Sequence, residues 1–462
     1  MDWKNKKVLI LGLGKSGLAA LQLLSSVGAK LTVNDQKPER DFPDLIPRLK
    51  NYSVEYFFGG HPEEIIGGKD LIVVSPGIPM NIPLLKEARQ REIPVWGELE
   101  LASRFCSAPI VAITGTKGKT TTTALTGEIL REDGRSVRVL GNIGIPFSQV
   151  ATEVTSGDWV VAEVSSFQLE STVKFKPYIA VILNVATDHL DRYSSWEEYI
   201  KSKQRIYSQQ GPEDYLILNA DNPGRNFSSG SRSRVTFFSR QQQLEDGIFL
   251  QDNKVIARWA GDTINVFYPE IVSLPGMHNL ENCMAAAMVS LIIGVNPEHI
   301  RSAIRRFRGI EHRLETVAEI NGIKFINDSQ ATNMLAVSMA LQSWDKPLIL
   351  IAGGRDKGSD FTLLRSLVKE RVKLLILLGE SVPKIKTALG DLVPVKKVNS
   401  LEEAVKIGYQ AGSPGDLVLL SPGCASFDMF RNYQERGEIF KRSVRQLQDE
   451  LSRGDKHLSA GY

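Results

Sequence analysis

The chain has 462 residues, of which 42% are hydrophobic and 24% charged, a composition typical of a globular protein with several domains. Its 56 basic and 53 acidic side chains leave a net charge of +3, which excludes a general electrostatic field for nucleic acid. The cysteines Cys106, Cys283 and Cys424 lie far apart, and no segment is apolar for long enough to span a bilayer. We therefore expect a cytoplasmic protein without disulfides, membrane insertion or nucleic-acid partners.

The first block of the chain alternates short apolar strands with helical stretches. Strands are predicted at Val8–Leu11, Leu31–Asn34 and Leu71–Val74, and helices at Leu18–Val27 and Leu84–Arg91. Such alternation is typical of a mostly parallel sheet covered by helices on both faces, which places the chain in the α/β class. We assign residues 1–97 to a first, Rossmann-like domain.

A glycine-rich turn, Gly12-Leu-Gly-Lys-Ser-Gly17, follows the first predicted strand, and Asp35 closes the next strand. This is the layout of a dinucleotide fingerprint, in which glycines allow close approach, a helix N-terminus attracts phosphate, and a carboxylate holds a ribose or base. By itself the turn fits a dinucleotide oxidoreductase, or a tight turn that binds nothing.

The second and third blocks continue the alternation. Strands of the second block are predicted at Pro109–Ile113, Val137–Leu140, Trp159–Val164, Ile179–Asn184 and Tyr215–Asn219. Between Arg234 and Pro275 four short apolar segments, starting at Val235, Gly247, Val255 and Ile264, predict a small antiparallel meander, and a buried helix follows at Asn279–Ile293. Strands of the third block are predicted at Lys324–Asn327, Leu348–Ala352, Leu374–Leu378 and Leu417–Leu420. We assign 98–309 to a central domain and 310–462 to a Rossmann-like C-terminal domain.

The segment Ile113-Thr-Gly-Thr-Lys-Gly-Lys-Thr-Thr121 runs from a strand through a glycine-rich turn into a helix. In such a turn the backbone N–H groups cradle phosphates, Lys119 supplies positive charge, and the Thr120 hydroxyl binds Mg²⁺. The spacing is shorter than in ordinary P-loops, because only Thr116 and Lys117 separate the two glycines. The segment predicts a nucleoside triphosphate site.

Two polar side chains follow other apolar strands of the central block. Glu163 ends one predicted strand, and His189 lies just beyond another. A lone histidine is more often structural than a ligand, but strand ends in an α/β sheet converge on the ligand edge. Because Mg²⁺ prefers hard oxygen ligands, we expect Glu163 to bind metal, with His189 beside it.

Together, Gly115-Thr-Lys-Gly-Lys-Thr120, Glu163-Val-Ser-Ser-Phe-Gln-Leu169 and Asp188-His-Leu-Asp191 resemble the Mur ligase family, whose members add amino acids to UDP-N-acetylmuramic acid. The similarity runs through most of the chain, including Leu274–Asn279 and Glu311–Arg313, and the wider family includes folylpolyglutamate synthases. Phe325–Asn333 and Leu420–Gly437 are similar to the branch that adds D-glutamate.

The resemblance implies three domains and an amide synthesis in which ATP first phosphorylates the substrate carboxylate. The implied substrates are UDP-N-acetylmuramoyl-L-alanine, D-glutamate and ATP, the implied cofactor is Mg²⁺ in two ions, and we expect a monomer. Because the implied sites lie on separate domains, we also expect domain closure about a hinge near Phe307–Glu311.

Matching motif positions give four sets of candidate residues. The implied catalytic residues are Lys119, Glu163, His189 and Lys203, and the metal ligands are Thr120, Glu163, His189 and Lys203. The implied ATP-binding residues are Gly115, Thr116, Lys117, Gly118, Lys119, Thr120, Thr121, Asn282, Arg313 and Asp328. The UDP substrate is implied to bind Gly14, Lys15, Ser16, Asp35, Gln36, Ser75, Pro76, Gly77, Asn142, Ser165 and Gln168. D-Glutamate is implied to bind Thr332, Lys357, Ser426 and Tyr433.

Lys203 aligns with a lysine that these enzymes carbamylate with CO₂ or bicarbonate, which would turn a cation into a metal ligand. The alternative is an ordinary helix lysine, and the nearby Lys201 competes for the assignment. The chain departs from the family at Lys117, where Asn is frequent, at Gln330, where Lys is usual, and at Tyr433, where Phe occurs.

Four functions follow from the sequence. The D-glutamate ligase agrees with the two late motifs, whereas a sibling ligase or a folylpolyglutamate synthase shares only the early ones. A dinucleotide oxidoreductase would leave Gly115–Thr120 unused. A nucleotide-regulated binding protein would leave the metal-site residues without a role.

Overall fold

The computed structural model describes residues 2–43, 45–142, 144–186, 193, 195–222, 227–274, 276–344, 346–356 and 358–459. Of Arg48, Leu335 and residues 453–459 only the backbone is described. The chain divides into two compact units, Met1–Phe307 with two sheets and Arg308–Tyr462 with one. Within the described part of the chain, no helix is long and apolar enough to cross a membrane. The predicted α/β class with parallel sheets is confirmed, whereas the domain boundaries at 97 and 309 stay predictions.

The first sheet is parallel and has five strands in the order β3-β2-β1-β4-β5. The strands are β1 (Lys7–Leu11), β2 (Lys30–Asp35), β3 (Val54–Phe58), β4 (Leu71–Val74) and β5 (Val95–Gly97). The helices of this region are α1 (Lys15–Ser26), α2 (Ile46–Leu49), α3 (Pro83–Gln90) and α4 (Glu98–Ser103). Sequence patterns missed β3 and β5, because β3 is an exposed edge strand with no clear alternation and β5 is very short.

The second sheet has nine strands in the order β14-β13-β12-β11-β10-β9-β6-β8-β7. The strands are β6 (Ile110–Thr114), β7 (Val137–Gly141), β8 (Trp159–Glu163), β9 (Ile179–Ile182), β10 (Tyr215–Asn219), β11 (Arg234–Ser239), β12 (Gly247–Gln251), β13 (Lys254–Trp259) and β14 (Asp262–Phe267). The helices are α5 (Lys119–Glu132), α6 (Ser166–Glu170), α7 (Trp196–Gln204), α8 (Met277–Ile293) and α9 (Pro297–Arg306). The almost wholly buried α8 packs on α5.

The predicted four-strand meander is wrong in one strand. Strands β12, β13 and β14 are antiparallel, but β11 pairs in parallel with both β10 and β12, so these strands extend the parallel sheet. Asp221 holds the chain after β11, because its carboxylate accepts hydrogen bonds from the Ser239 hydroxyl and the Arg240 N–H. Apolar alternation within a strand carries no information about the direction of its neighbour.

The third sheet has six strands in the order β15-β16-β20-β17-β18-β19, parallel except for the β15–β16 hairpin. The strands are β15 (Glu315–Ile320), β16 (Ile323–Asn327), β17 (Leu348–Gly353), β18 (Val372–Leu378), β19 (Val395–Lys397) and β20 (Leu417–Gly423). The helices are α10 (Met334–Gln342), α11 (Arg365–Arg371), α12 (Val382–Leu389), α13 (Leu401–Ala411) and α14 (Tyr433–Ser459). Strands β15 and β19, at the two edges, were not predicted.

Candidate functional site

The glycine-rich turn between β6 and α5 forms a cradle for an anion. Gly118 precedes the helix with a φ of +84°, and a Cβ there would lie 2.2 Å from Asn282 Oδ1, so only glycine fits. The N-cap residue of α5 is a glycine, which has no side chain to cap the N–H groups of the first turn. A helix beginning in this way attracts phosphate.

Asn184, just after β9, fixes the shape of this turn. Its Oδ1 accepts hydrogen bonds from the Thr116 and Lys117 N–H groups at 3.1 and 2.9 Å, and its Nδ2 donates to the Lys117 carbonyl at 3.0 Å. Sequence reasoning did not single out Asn184. The available signal was an asparagine directly following a buried strand, at the edge of the sheet where ligands bind.

Two lysine side chains converge on the carbonyl of Gly115. Lys119 Nζ donates to it at 2.8 Å, and Lys203 Nζ donates to it at 3.1 Å. Lys203 is 2% exposed and its ammonium lies 4.6 Å above the ring of Tyr199, whereas Lys201 is exposed. The structure therefore places Lys203, rather than Lys201, beside the phosphate turn. Two cations here make the turn suited to a polyanion.

Glu163 ends β8, the strand next to β6, and is 2% exposed. Its Oε1 accepts a hydrogen bond from Asn142 Nδ2 at 2.8 Å, but its Oε2 is buried and has no hydrogen-bond partner among the described residues. A carboxylate oxygen buried without a partner is costly, so a cation fits this place. Thr120, on the first turn of α5, carries the second hard oxygen of the predicted Mg²⁺ set. His189 lies outside the described residues.

Asn282 on α8 brings a distant segment to the phosphate turn. Its Oδ1 lies against Gly118 and accepts a hydrogen bond from the Thr122 hydroxyl at 3.3 Å. Asn279 Oδ1 accepts from Asn282 Nδ2 at 3.1 Å, which fixes the orientation of the amide. Thr121, one residue before Thr122, is half-buried on the same turn of α5.

The three predicted segments of the UDP site meet at the carboxyl edge of the first sheet. Asp35 Oδ2 accepts a hydrogen bond from the Leu13 N–H at 2.8 Å, and the Ser75 hydroxyl donates to the Gly12 carbonyl at 2.8 Å. Gly14 precedes α1 without a side-chain cap and is exposed. The remaining members are either exposed or half-buried: Lys15, Ser16, Gln36, Pro76 and Gly77. The carboxylate of Asp35 thus stabilises the Gly12–Gly17 turn, at the edge of the sheet where a ligand would bind.

Ser165 and Gln168 have a structural role of their own. They form a capping box at the start of α6, in which the Ser165 N–H donates to Gln168 Oε1 at 3.0 Å and the Gln168 N–H donates to Ser165 Oγ at 3.3 Å. A capping box satisfies helix N–H groups without any ligand. Their assignment to the UDP substrate stays a prediction.

In the second unit, Asp328 is buried between two donors. Its Oδ1 accepts from the Leu314 N–H at 3.2 Å and its Oδ2 from the Ser421 hydroxyl at 2.8 Å, and burial raises the pKa of Asp328 to about 7. Arg313, next to Leu314, lowers that pKa by its charge, against the effect of burial. The two predicted nucleotide-binding residues of this unit therefore lie side by side.

The candidate amino-acid residues lie around the ends of β16 and β20. Ser426 is buried just after β20, Thr332 is half-buried, and Tyr433 begins α14. Lys357 lies outside the described residues. Gln330, where the family usually has lysine, has a buried Oε1 without a partner among the described residues. The structure brings Thr332, Ser426 and Tyr433 into one region of the second unit but assigns them no ligand.

Models of three Mur ligase domains match the chain: the MurD-like N-terminal domain at residues 6–97, the Mur ligase middle domain at 113–290, and the glutamate ligase domain at 312–424. The UDP-N-acetylmuramoylalanine--D-glutamate ligase of Geotalea uraniireducens is 44% identical over 98% of this chain and 100% of its own length. The corresponding ligase of Thermoanaerobacter pseudethanolicus is 43% identical over 97% of this chain and 100% of its own.

A solved structure shares the fold at lower identity. The pseudomurein peptide ligase type C of Methanothermus fervidus is 20% identical, with a TM-score of 0.52, over 96% of this chain and 100% of its own. At this identity the similarity establishes the arrangement of helices and strands alone.

Proposed function

This chain belongs to the Mur ligase family, and we propose that it uses ATP to join D-glutamate to UDP-N-acetylmuramoyl-L-alanine during peptidoglycan precursor synthesis. The observation that carries the proposal is the 44% identity, over nearly the whole of both chains, to a ligase of that name. The glycine-rich turn before α5 and the buried Glu163 support the proposal, because such a reaction needs a phosphate site and a metal ligand. Because these substrates are metabolites of the cytoplasm, we place the reaction there.

In the proposed reaction, a carboxylate oxygen of the L-alanyl group attacks the γ-phosphorus of ATP, and ADP leaves. The amine of D-glutamate then attacks the acyl carbon, loses a proton, and expels inorganic phosphate. The first step brings two anions together, so fixed positive charge and oriented donors must offset their repulsion. We assign this role to Lys119 and to the N–H groups of the phosphate turn, which lie at one end of α5.

We assign Mg²⁺ binding to Thr120, Glu163 and His189. Bound magnesium would neutralise charge on the transferring phosphoryl group. The Oε2 of Glu163, which has no hydrogen-bond partner in the described part of the chain, supports the assignment, since it is the kind of oxygen that a hard cation satisfies. Asn142 holds the other oxygen and so fixes the direction of the carboxylate.

We further propose that Lys203 reacts with CO₂ to form a carbamate that serves as a metal ligand. A carbamate keeps one N–H, which can still donate to the Gly115 carbonyl that Lys203 already contacts at 3.1 Å. It also replaces a buried cation with an anion beside the metal site. Removing CO₂ from the buffer should lower turnover, and bicarbonate should restore it. Turnover independent of bicarbonate, with an unmodified mass for Lys203, would refute the carbamate.

The remaining assignments follow the family motifs. Arg313 and Asp328 bind the γ-phosphate and the ribose of ATP, with Asn282 beside the phosphate turn. Gly14, Asp35 and Ser75 are on the segments that bind UDP. D-Glutamate is bound by Thr332, Lys357, Ser426 and Tyr433.

The deciding experiment measures phosphate release from ATP with UDP-N-acetylmuramoyl-L-alanine, Mg²⁺ and bicarbonate. D-Glutamate, L-glutamate, glycine and L-lysine are supplied in parallel. We expect release with D-glutamate alone. Release with another amino acid would keep the mechanism and change the substrate, and release with none would remove the ligase assignment.

The variant Lys119→Ala tests the assignment of the ATP site. It should abolish release, because it removes the positive charge that contacts the phosphate turn. Near-normal turnover in this variant would show that ATP is bound elsewhere.

A further inference from the structure

The backbone on both sides of Arg313 is strained. His312 has a φ of +65° and Leu314 a φ of +46°, values that residues with a bulky side chain rarely adopt. Such a conformation persists only where surrounding contacts hold it in place. The direction in which Arg313 projects therefore depends on what holds its two neighbours.

Hydrogen bonds fix the backbone of this turn from one side. The His312 N–H donates to Glu315 Oε2 at 2.9 Å, and the Leu314 N–H donates to Asp328 Oδ1 at 3.2 Å. Asn327 Nδ2 donates to the same Glu315 oxygen at 3.0 Å, which orients that carboxylate. Glu315 Oε2 thus fixes the conformation of the turn. The other oxygen of the same carboxylate, Oε1, makes a separate contact.

Lys441 of α14 holds that second oxygen. Its Nζ lies 3.0 Å from Glu315 Oε1 and 3.1 Å from Glu311 Oε1, so one ammonium joins carboxylates from both ends of the turn. Glu438, one turn earlier on α14, adds a third contact at 2.9 Å. The side chains of Lys441 and Glu315 are only 7% and 18% exposed, which shields this pair from water and salt.

The charge on Lys441 is secured by its partners. Burial opposes the charged form, but the hydrogen bonds that the ammonium donates to Glu438, Glu315 and Glu311 raise the pKa of Lys441 above its ordinary value. Glu311, His312 and Glu438 also have the spacing of a metal site, with ligand atoms within 4.8 Å of one another. The Lys441 ammonium bonds the carboxylates of Glu311 and Glu438, so it already occupies the place of a cation between them.

We propose that Lys441 is a positioning residue that fixes the turn Glu311–Glu315 and thereby directs the guanidinium of Arg313 towards the γ-phosphate of ATP. The inference rests on the proposed function, which assigns Arg313 to that phosphate. Lys441 itself touches no substrate. Its effect should therefore appear only with a nucleotide that has a γ-phosphate.

The test compares the affinities of the full-length protein for ATP and ADP, by titration calorimetry with Mg²⁺. In Lys441→Met the preference for ATP over ADP should fall by about tenfold, the scale of one charge-assisted hydrogen bond, while ADP affinity stays unchanged. Lys441→Arg should restore most of the preference, because it keeps the charge. Arg313→Ala should lose the preference by itself, and adding Lys441→Met to it should cost nothing further.

The matched control is Lys406→Met, which removes a 3.3 Å ion pair between Lys406 on α13 and Glu450 on α14, the helix that carries Lys441. It should leave the ATP preference intact. Glu311→Gln, at a side chain that is 73% exposed, provides a second variant of the cluster that does not open the core, and it should lower the preference in the same direction.

A lower melting temperature with an unchanged ATP preference in Lys441→Met and Glu311→Gln would overturn the positioning role and leave an ordinary ion pair. An unchanged preference in Arg313→Ala would overturn both this inference and the assignment of Arg313 to the γ-phosphate. Failure of the proposed function would be seen in a different measurement, namely the absence of D-glutamate-dependent turnover in the wild type. The nucleotide titrations are independent of it, because they contain no amino acid.

Discussion

Asp328 is a carboxyl group whose protonation should control both stability and nucleotide binding. Burial raises its pKa from an ordinary 3.8 to about 7, although Ser421 and the Leu314 N–H both favour the charged form. Between pH 3.8 and pH 7, Asp328 is ionised in the unfolded chain but keeps its proton in the folded protein. The contribution of Asp328 to stability should therefore be greatest in acid and should fall as the pH rises towards 7.

We expect the unfolding free energy of the wild type to fall by about 2 kcal/mol between pH 5 and pH 7, relative to Asp328→Asn. The asparagine variant lacks the titrating group, so its urea unfolding should show no such difference. Ionised Asp328 is also the better acceptor for ribose hydroxyls, so ATP affinity should increase from pH 6 to pH 8 in the wild type alone. Parallel pH profiles for the two proteins would show that another group is responsible.

Glu163 is kept in a costly environment that a structural role does not explain. Glu163→Gln should lower turnover by about a hundredfold or more, because it removes the charge that we propose binds Mg²⁺. It should leave the unfolding free energy unchanged or raise it by about 1 kcal/mol, since an amide is less costly to bury than an unpaired carboxylate oxygen. Steady-state kinetics and urea unfolding on one preparation measure both effects.

Glu100 provides the contrasting case in the same unit. It is fully buried, but its carboxylate accepts hydrogen bonds from the N–H groups of Val173, Lys174 and Phe175 and pairs with Arg104. Glu100→Gln should therefore reduce stability and leave turnover intact in the protein that stays folded. If Glu163→Gln behaved in the same way as Glu100→Gln, Glu163 would be structural.

At the scale of elements, a glycine with positive φ lies just before α5 and another lies two residues after its end, but only one of them is crowded. Gly118 has a φ of +84° and faces Asn282, whereas Gly134 has a φ of +77° with nothing within 4 Å of a Cβ. Both alanine variants should lose about 1–2 kcal/mol from the left-handed backbone. Gly118→Ala should lose more, and should also weaken ATP binding, because Asn282 must move.

Urea unfolding and ATP titration of the two variants separate backbone strain from crowding. Equal losses in both measurements would mean that the contact between Gly118 and Asn282 has no importance for the phosphate turn.

At the scale of the molecule, the assigned residues are divided between the two compact units. The first carries the phosphate turn, the metal residues and the UDP segments, and the second carries Arg313, Asp328 and the amino-acid residues. Chelation of Mg²⁺ should abolish phosphate release, and restoring Mg²⁺ should recover it fully without refolding. Circular dichroism should stay unchanged throughout, because each unit has its own apolar core. Loss of secondary structure on chelation would instead make the metal a structural one.

The sequence determined those features that lie within one continuous segment. The strand, glycine turn and helix of residues 113–121 were predicted as a phosphate site, because spacing along the chain fixes which N–H groups point together. Asp35 and Glu163 were predicted from their places at strand ends, since parallel strands present those ends at one edge. The family motifs likewise lie in short contiguous stretches.

Tertiary structure alone decided the contacts between distant segments. Three such contacts join parts of the chain that share no local pattern. They are the contact of Asn282 with Gly118, the parallel pairing of β11, and the ion pairs of Lys441 with Glu311 and Glu315. Periodicity reports which face of an element is buried, but it does not report which partner buries that face. That choice is made by packing and charge pairing across the whole fold, where each contact depends on many residues at once.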